Sequence, residues 1–88
     1  MKKAADLFKV LSVDKRIDII EYLKNGDMNV NALAESLGIT PSAVSQHLRV
    51  LKSAELVTDD RKGYWVNYSL SREALEEYKQ SVAAAALR

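Results

Sequence analysis

Residues 29–54 read NVNALAESLGITPSAVSQHLRVLKSA and contain two segments of helical periodicity separated by a three-residue break at 38–40. The first segment follows Asn29, a favoured helix cap, and ends at Gly38, which suits the left-handed position after a helix. The second begins at Thr40 and Pro41, a good cap followed by a residue favoured at the first helical position, and runs to about Ala54. The stretch therefore predicts two short helices joined by a tight turn.

This arrangement is typical of a helix-turn-helix, whose second helix can enter the major groove of DNA. Apolar or small residues occupy the positions where the two helices must pack, namely Val30, Leu33, Ala34, Leu37, Ile39, Val44, Leu48 and Leu51. The opposite face of the second helix carries a polar stripe at i, i+3, i+4 and i+7, formed by Ser42, Ser45, Gln46 and Arg49. Amide, hydroxyl and guanidinium groups suit base edges and phosphates. We therefore predict that this stripe, together with Thr40 at the start of the helix, binds DNA.

A hairpin follows the helix-turn-helix. After Ala54 the period of the sequence changes from 3.6 to 2, which predicts an antiparallel wing over about residues 56–70, with strands at 56–58 and 64–70 and Gly63 in the turn. One face of the second strand is expected to pack on the helices, and it consists of Tyr64, Val66, Tyr68 and Leu70. The predicted tip carries Arg61 and Lys62, which suit the DNA backbone or minor groove.

Helices are also predicted outside this stretch. A helix over about 3–13 has an apolar stripe of Ala4, Leu7, Phe8 and Leu11. A second covers about 15–25, with Asp14 as its cap and with Ile17, Ile20 and either Ile19 or Leu23 facing inward. Ser71 caps a last helix over about 72–87. The predicted fold is mainly α with a small β wing, in the order four helices, two strands and one helix, forming a single domain over residues 1–88.

The composition excludes several classes of function. Thirteen Lys and Arg against twelve Asp and Glu give a net charge of +1, so bulk charge is neutral evidence on a nucleic-acid partner. The absence of cysteine excludes disulfides, thiolate metal sites and dithiol redox sensing. All three glycines fall at predicted helix or hairpin ends, which leaves none for a phosphate-binding loop. We expect a non-enzymatic protein without cofactor or metal and, since no signal peptide or membrane span is evident, a cytoplasmic one.

Two sets of residues allow more than one interpretation. His47, the only histidine, is expected mainly to span the core and the DNA face with its nitrogens hydrogen-bonded, with a phosphate contact as the alternative. The aromatic residues are expected in the core and at subunit contacts rather than as stacking platforms for single strands, and they include Tyr22, Tyr64, Trp65, Tyr68 and Tyr78.

The segment LAESLGITPSAVSQHLRVLKSAELVTDDRKGYWVNYSL, preceded by LSVDKRIDIIEYL, resembles the winged helix-turn-helix of the ArsR/SmtB family of bacterial and archaeal repressors. The resemblance spans about residues 7–70. It implies a homodimer built from the first and last helices, with Ser42, Ser45 and Gln46 at the positions that meet operator DNA. It also implies release of DNA by an inducer, usually a metal ion.

The sequence departs from the family pattern at the metal sites. Asn29 and Asn31 stand where the family has a Cys-x-Cys pair, and residues 72–88 contain no histidine for the second family site. We therefore expect a branch that lacks cysteine and does not sense metals.

The sequence thus predicts a dimeric repressor that binds an inverted-repeat operator. The expected partners are double-stranded DNA, a second copy of the chain and an unidentified small-molecule or protein effector, with no membrane. The dimer interface is predicted to include Leu7, Phe8, Leu11, Tyr78, Val82 and Ala86. The alternative is a winged-helix module for protein–protein interaction without DNA binding, which the acidic pair Asp59 and Asp60 beside the wing tip favours.

Overall fold

The computed structural model describes residues 13–86, which form a winged helix-turn-helix. Four helices are described, α1 (Asp14–Lys24), α2 (Val30–Leu37), α3 (Pro41–Ser53) and α4 (Arg72–Ala86). Three strands accompany them, β1 (Met28–Asn29), β2 (Val57–Lys62) and β3 (Trp65–Leu70). The helix predicted over about 3–13 lies outside the described residues, so four of the five predicted helices are seen. Within residues 13–86 no helix combines the length and apolarity needed to span a bilayer.

The caps of α2 and α3 confirm the predicted helix-turn-helix. Asn29 Oδ1 accepts a hydrogen bond from the backbone N–H of Ala32 at 2.8 Å, and Gly38 ends α2 with a φ of 67°. Thr40 Oγ1 accepts from the backbone N–H of Ala43 at 3.1 Å, and Pro41 follows as the first helical residue. These local contacts fix the turn between the two helices.

Two predictions about α1 are wrong. Asp14 is the first residue of the helix, and the cap is Val13, which offers no side-chain oxygen. Ile17 was expected to face inward but is 43% exposed, whereas the buried residues are Ile19, Ile20 and Leu23. With these three inside, the centre of the buried face lies roughly 110° around the helix from Ile17 at 3.6 residues per turn.

The hairpin is longer and its turn tighter than predicted. β2 and β3 pair from Val57 with Leu70 to Lys62 with Trp65, so residues 59–62 lie in a strand and not in a loop. The turn consists of Gly63, with a φ of 63°, and Tyr64. Tyr64 was predicted to pack on the helices, but in the turn its side chain is fully exposed. Glycine at the first position of a two-residue turn suits the right-handed twist of a hairpin.

A third strand was not predicted. Met28 and Asn29 pair antiparallel with Tyr68 and Asn67, which gives the sheet order β1-β3-β2. A strand of two residues has no periodicity to detect, and it forms here because β3 offers a free edge.

One core joins the helices to the inner face of the hairpin. Its buried apolar residues are Ile19, Ile20, Leu23, Leu33, Ala34, Val44, Leu48, Leu51, Ala54, Leu56, Val57 and Leu75. Tyr68, Leu70 and Tyr78 pack against this cluster. The last helix joins it through its first turns, where Ser71 Oγ accepts from the backbone N–H of Ala74 at 3.3 Å, as predicted for its cap. The core holds α3 rigidly with one side buried and the other facing outward.

Candidate nucleic-acid interface

The predicted polar stripe lies on the outer side of α3. Ser42, Gln46 and Arg49 are exposed and Ser45 is half-buried, while the opposite side of the helix is closed by Val44, Leu48 and Leu51. Within residues 13–86 none of the four polar side chains forms a hydrogen bond or ion pair. The structure thus brings together four polar groups with their hydrogen-bonding capacity directed outward. Thr40 lies at the start of the stripe, where its hydroxyl oxygen is used to cap the helix.

The basic residues of the wing are exposed, and its acidic residues are compensated. Arg61 and Lys62 end β2 beside the turn. Asp59 pairs with Lys52 of α3 at 2.9 Å, and the hydrogen bond from Lys52 lowers the pKa of the Asp59 carboxyl. The Oδ2 atom of Asp60 lies 3.8 Å from Nζ of Lys62. The Lys52–Asp59 pair also ties the wing to α3, a contact that a count of charges along the sequence could not reveal.

His47 contacts a residue that the sequence could not place. The Nε atom of Arg16, in the first turn of α1, donates to Nδ1 of His47 at 3.3 Å. Both side chains are half-buried, and burial, followed by the charge of Arg16, lowers the pKa of His47. This bond agrees with the expectation of a hydrogen-bonded ring between core and surface. The sequence did contain a signal that Arg16 lies on the buried face of α1. It stands three, four and seven residues before the buried Ile19, Ile20 and Leu23, which is the spacing of one helical face.

The aromatic residues divide into two groups. Tyr68 and Tyr78 pack against the core, as predicted. Tyr22, Tyr64 and Trp65 are 37%, 105% and 62% exposed, so they lie outside the core, and their predicted role at subunit contacts stays a prediction. Tyr22 covers the end of α2, where its hydroxyl donates to the carbonyl of Ser36 at 3.3 Å. Trp65 opens β3 and lies on the opposite face of the strand from Val66 and Tyr68, because side chains alternate along a strand.

An apolar groove lies between α1 and α4, and of the predicted interface residues it includes Tyr78. Ile17, Ile20, Leu75 and Tyr78 line it, with charged residues at its rim. The predicted interface residues Leu7, Phe8 and Leu11 lie outside the described residues. The same holds for the side chains of Val82 and Ala86.

Among residues 13–86, no three His, Cys, Asp or Glu side chains lie close enough together to hold a metal ion. The side-chain oxygen of Asn29, at the first position of the family's thiolate pair, is engaged in capping α2.

Comparison with known proteins identifies related regulators. The model of the family described as "Bacterial regulatory protein, arsR family" matches residues 14–59. The transcriptional repressor SdpR of Bacillus subtilis is 39% identical over 72 residues, which cover 82% of this chain and 80% of SdpR.

Two solved structures share the fold. One, a possible transcriptional regulator for arsenical resistance, has a TM-score of 0.84 and 33% identity, covering 90% of this chain and 82% of the other. The homodimeric winged helix-turn-helix domain of Mb0332 from Mycobacterium bovis has a TM-score of 0.77 and 27% identity, covering 92% and 76% of the two chains.

Proposed function

The chain belongs to the arsR family of bacterial regulatory proteins, and we propose that it is a DNA-binding repressor of transcription that acts as a homodimer. The observation that carries the proposal is the outward polar stripe of α3, called the recognition helix from here on. Its hydroxyl, amide and guanidinium groups form no hydrogen bond or ion pair within residues 13–86. A surface of this kind is suited to hydrogen bonding with a partner. The similarity to SdpR, a transcriptional repressor, supports repression.

We assign the contacts by position and chemistry. Ser42, Ser45 and Gln46 read base edges in the major groove, and Arg49 binds guanine or phosphate. Thr40 contacts the DNA backbone from the start of the recognition helix, where the unpaired N–H groups of the helix favour a phosphate. Arg61 and Lys62 bind flanking phosphates from the wing. For His47 we retain the hydrogen-bonded ring between core and surface as the main interpretation, since its Nδ1 is engaged by Arg16, with a phosphate contact through Nε2 as the alternative.

A dimer would have two recognition helices, one from each protomer. Two recognition helices about 34 Å apart would enter successive major grooves at an inverted repeat. The groove lined by Ile17, Leu75 and Tyr78 offers an apolar surface that includes Tyr78 of the predicted interface, and the Mb0332 domain is described as homodimeric. One module with a net charge of +1 would bind DNA weakly, whereas a rigid dimer engages two half-sites at once.

The regulator is proposed not to respond to metals. Zinc sites need three or four sulfur, nitrogen or carboxylate ligands. The chain has no cysteine and one histidine, and Nδ1 of that histidine accepts a hydrogen bond from Arg16. An inducer would then be a small organic molecule or a protein.

The test is a fluorescence-anisotropy titration with a duplex from the promoter region of the protein's own gene and a scrambled duplex. Gln46→Ala and Ser45→Ala should each lower affinity for the promoter duplex by ~1 to 3 kcal/mol with the fold intact, because each removes a base contact. Gln80→Ala is the matched control, since Gln80 is exposed on α4 and lies outside the recognition helix. Equal affinities for all three variants and the wild type would remove the site assignment.

A protein-interaction module is the second candidate, and the exposed Tyr64 and Trp65 of the wing favour it. No binding of the wild-type protein to either duplex at low salt would select this alternative.

A further inference from the structure

The Arg16–His47 bond joins α1 to the recognition helix at a point that the assignments above leave without a function. The two residues are 31 positions apart in the sequence, so the tertiary fold brings them together. Arg16 continues the buried face of α1 by one turn beyond Ile20, past the edge of the core. There its guanidinium meets the side of the recognition helix.

His47 and Lys52 lie on opposite flanks of the recognition helix, each between its buried face and the polar stripe. At 3.6 residues per turn, His47 lies between the buried Leu51 and the exposed Gln46, whereas Lys52 lies on the other side of the helix, next to Leu48. Lys52 is bonded to Asp59 of the wing, and His47 is bonded to Arg16 of α1. The wing and the first turn of α1 therefore contact the recognition helix on its two opposite flanks, with the polar stripe exposed between them.

A helix in the major groove has a sugar-phosphate strand along each side, because the groove is about 12 Å wide and a helix with its side chains fills it. The cations of the wing would face one strand, and the first turn of α1 would face the other. We propose that Arg16 contacts the phosphate backbone on the strand opposite the wing, and that His47 is the positioning residue that holds its guanidinium there. The proposal rests on the proposed DNA-binding function.

The chemistry of the pair suits these roles. Arginine Nε always carries a hydrogen, so Nδ1 of His47 must be the acceptor and the neutral ring carries its own hydrogen on Nε2. Burial and the charge of Arg16 lower the pKa of His47, which keeps the ring neutral and able to accept. A guanidinium has five N–H donors in a planar fork, which allows it to engage a ring nitrogen and a phosphate together.

The experiment measures the salt dependence of binding to the promoter duplex and the scrambled duplex between about 50 and 200 mM salt. Arg16→Ala should weaken binding to both duplexes to the same degree, by about tenfold, because a phosphate contact carries no base preference. The slope of log affinity against log salt should fall by about 0.9 for each protomer. Arg72→Ala is the matched control, since it removes an exposed cation at the start of α4, outside the lining of the apolar groove and away from the recognition helix. Its slope should equal that of the wild type.

Variants of His47 test the positioning role. His47→Leu should weaken binding to both duplexes without removing a cation, and Arg16→Ala should cause little further loss in the His47→Leu background. His47→Asn should recover most of the affinity, because its Oδ1 offers an acceptor near the place of Nδ1. Additive losses, or no recovery with Asn, would overturn the positioning role.

A link that serves only stability would give a different result. Arg16→Ala would then lower the thermal midpoint and leave the salt slope at the value of Arg72→Ala, which would overturn the proposal. If Arg16→Ala fails to fold, Arg16→Gln carries the same test, since it keeps an N–H donor for His47 and removes the charge. If Arg16 does not contact phosphate, the wild-type protein still binds the promoter duplex. If the wild-type protein does not bind that duplex, both the proposed function and the role of Arg16 are overturned.

Discussion

At the residue scale, Glu55 occupies a backbone conformation that favours glycine. It follows the recognition helix with a φ of 65°, the positive φ recorded for a residue other than glycine within residues 13–86. The N–H of Leu56 donates to the carbonyl oxygen of Leu51 at 2.9 Å, and the N–H of Glu55 donates to the carbonyl oxygen of Lys52 at 2.9 Å. This pattern is a Schellman motif, which usually has glycine in the position of Glu55.

Glu55→Gly should therefore raise the free energy of unfolding by about 0.5 to 1 kcal/mol. The left-handed conformation costs a residue with a side chain roughly 1 to 2 kcal/mol, and part of the relief is offset by the greater freedom of glycine in the unfolded chain. A rise of about 2 to 8 °C in the thermal midpoint would follow for a domain of this size. Glu55→Ala, which removes the carboxylate and keeps Cβ, is the control and should show no such rise.

His47 makes stability depend on pH in a stated direction. Its pKa in the folded protein lies below the ordinary value of about 6.5, first because of burial and then because of Arg16. Above pH 6.5 both folded and unfolded chains hold a neutral ring. As the pH falls through about 6.5 the unfolded chain binds the proton first, so the free energy of unfolding decreases until the lower, folded pKa has been passed.

Chemical denaturation at several pH values between about 8 and 5 should show this loss in the wild type but not in His47→Asn, whose amide does not titrate. The acidic residues titrate in both proteins, so the difference between the two curves isolates the ring. A difference that stays constant across the range would contradict the lowered pKa.

At the scale of elements, the wing has an ion pair to the recognition helix near the start of β2 and two basic residues beside its turn. The Lys52–Asp59 pair holds β2 to the recognition helix, and Arg61 and Lys62 stand beside the turn. This ion pair places the base of the wing against the helix that carries the polar stripe. The wing is thus suited to bind phosphates next to the groove that the stripe enters.

Arg61→Ala and Lys62→Ala should each weaken binding to the promoter and scrambled duplexes alike and lower the salt slope by about 0.9 per protomer. Asp60→Asn should act in the opposite direction, because it removes the carboxylate that lies 3.8 Å from Lys62. Anisotropy titrations at several salt concentrations measure both effects. A loss confined to the promoter duplex would mean that the wing reads bases.

At the scale of the whole molecule, the groove between α1 and α4 leaves apolar surface uncovered in the described part of the chain. Ile17 is 43% exposed there beside Leu75 and Tyr78. Because Ile17 is outside the core, a charge at this position should break subunit contact without unfolding the protomer.

Ile17→Glu is therefore expected to shift the protein from dimer to monomer in sedimentation equilibrium and to reduce operator affinity by more than any single phosphate contact. Asn25→Glu is the control, since it places the same charge on an exposed residue just after α1, outside the lining of the groove and away from the wing. A dimer that persists in Ile17→Glu with unchanged dissociation would place the interface elsewhere.

The helix-turn-helix could be predicted from the amino-acid sequence alone, because its signals are local. The cap at Asn29, the left-handed Gly38, the Thr40-Pro41 start and the spacing of the polar stripe each act within one or two helical turns. Only the tertiary structure decided the pairing of β1 with β3, the outward turn of Ile17, the Lys52–Asp59 tie and the Arg16–His47 bond. Those contacts depend on how the elements pack onto one core, and packing brings together residues whose separation along the chain carries no periodic signal.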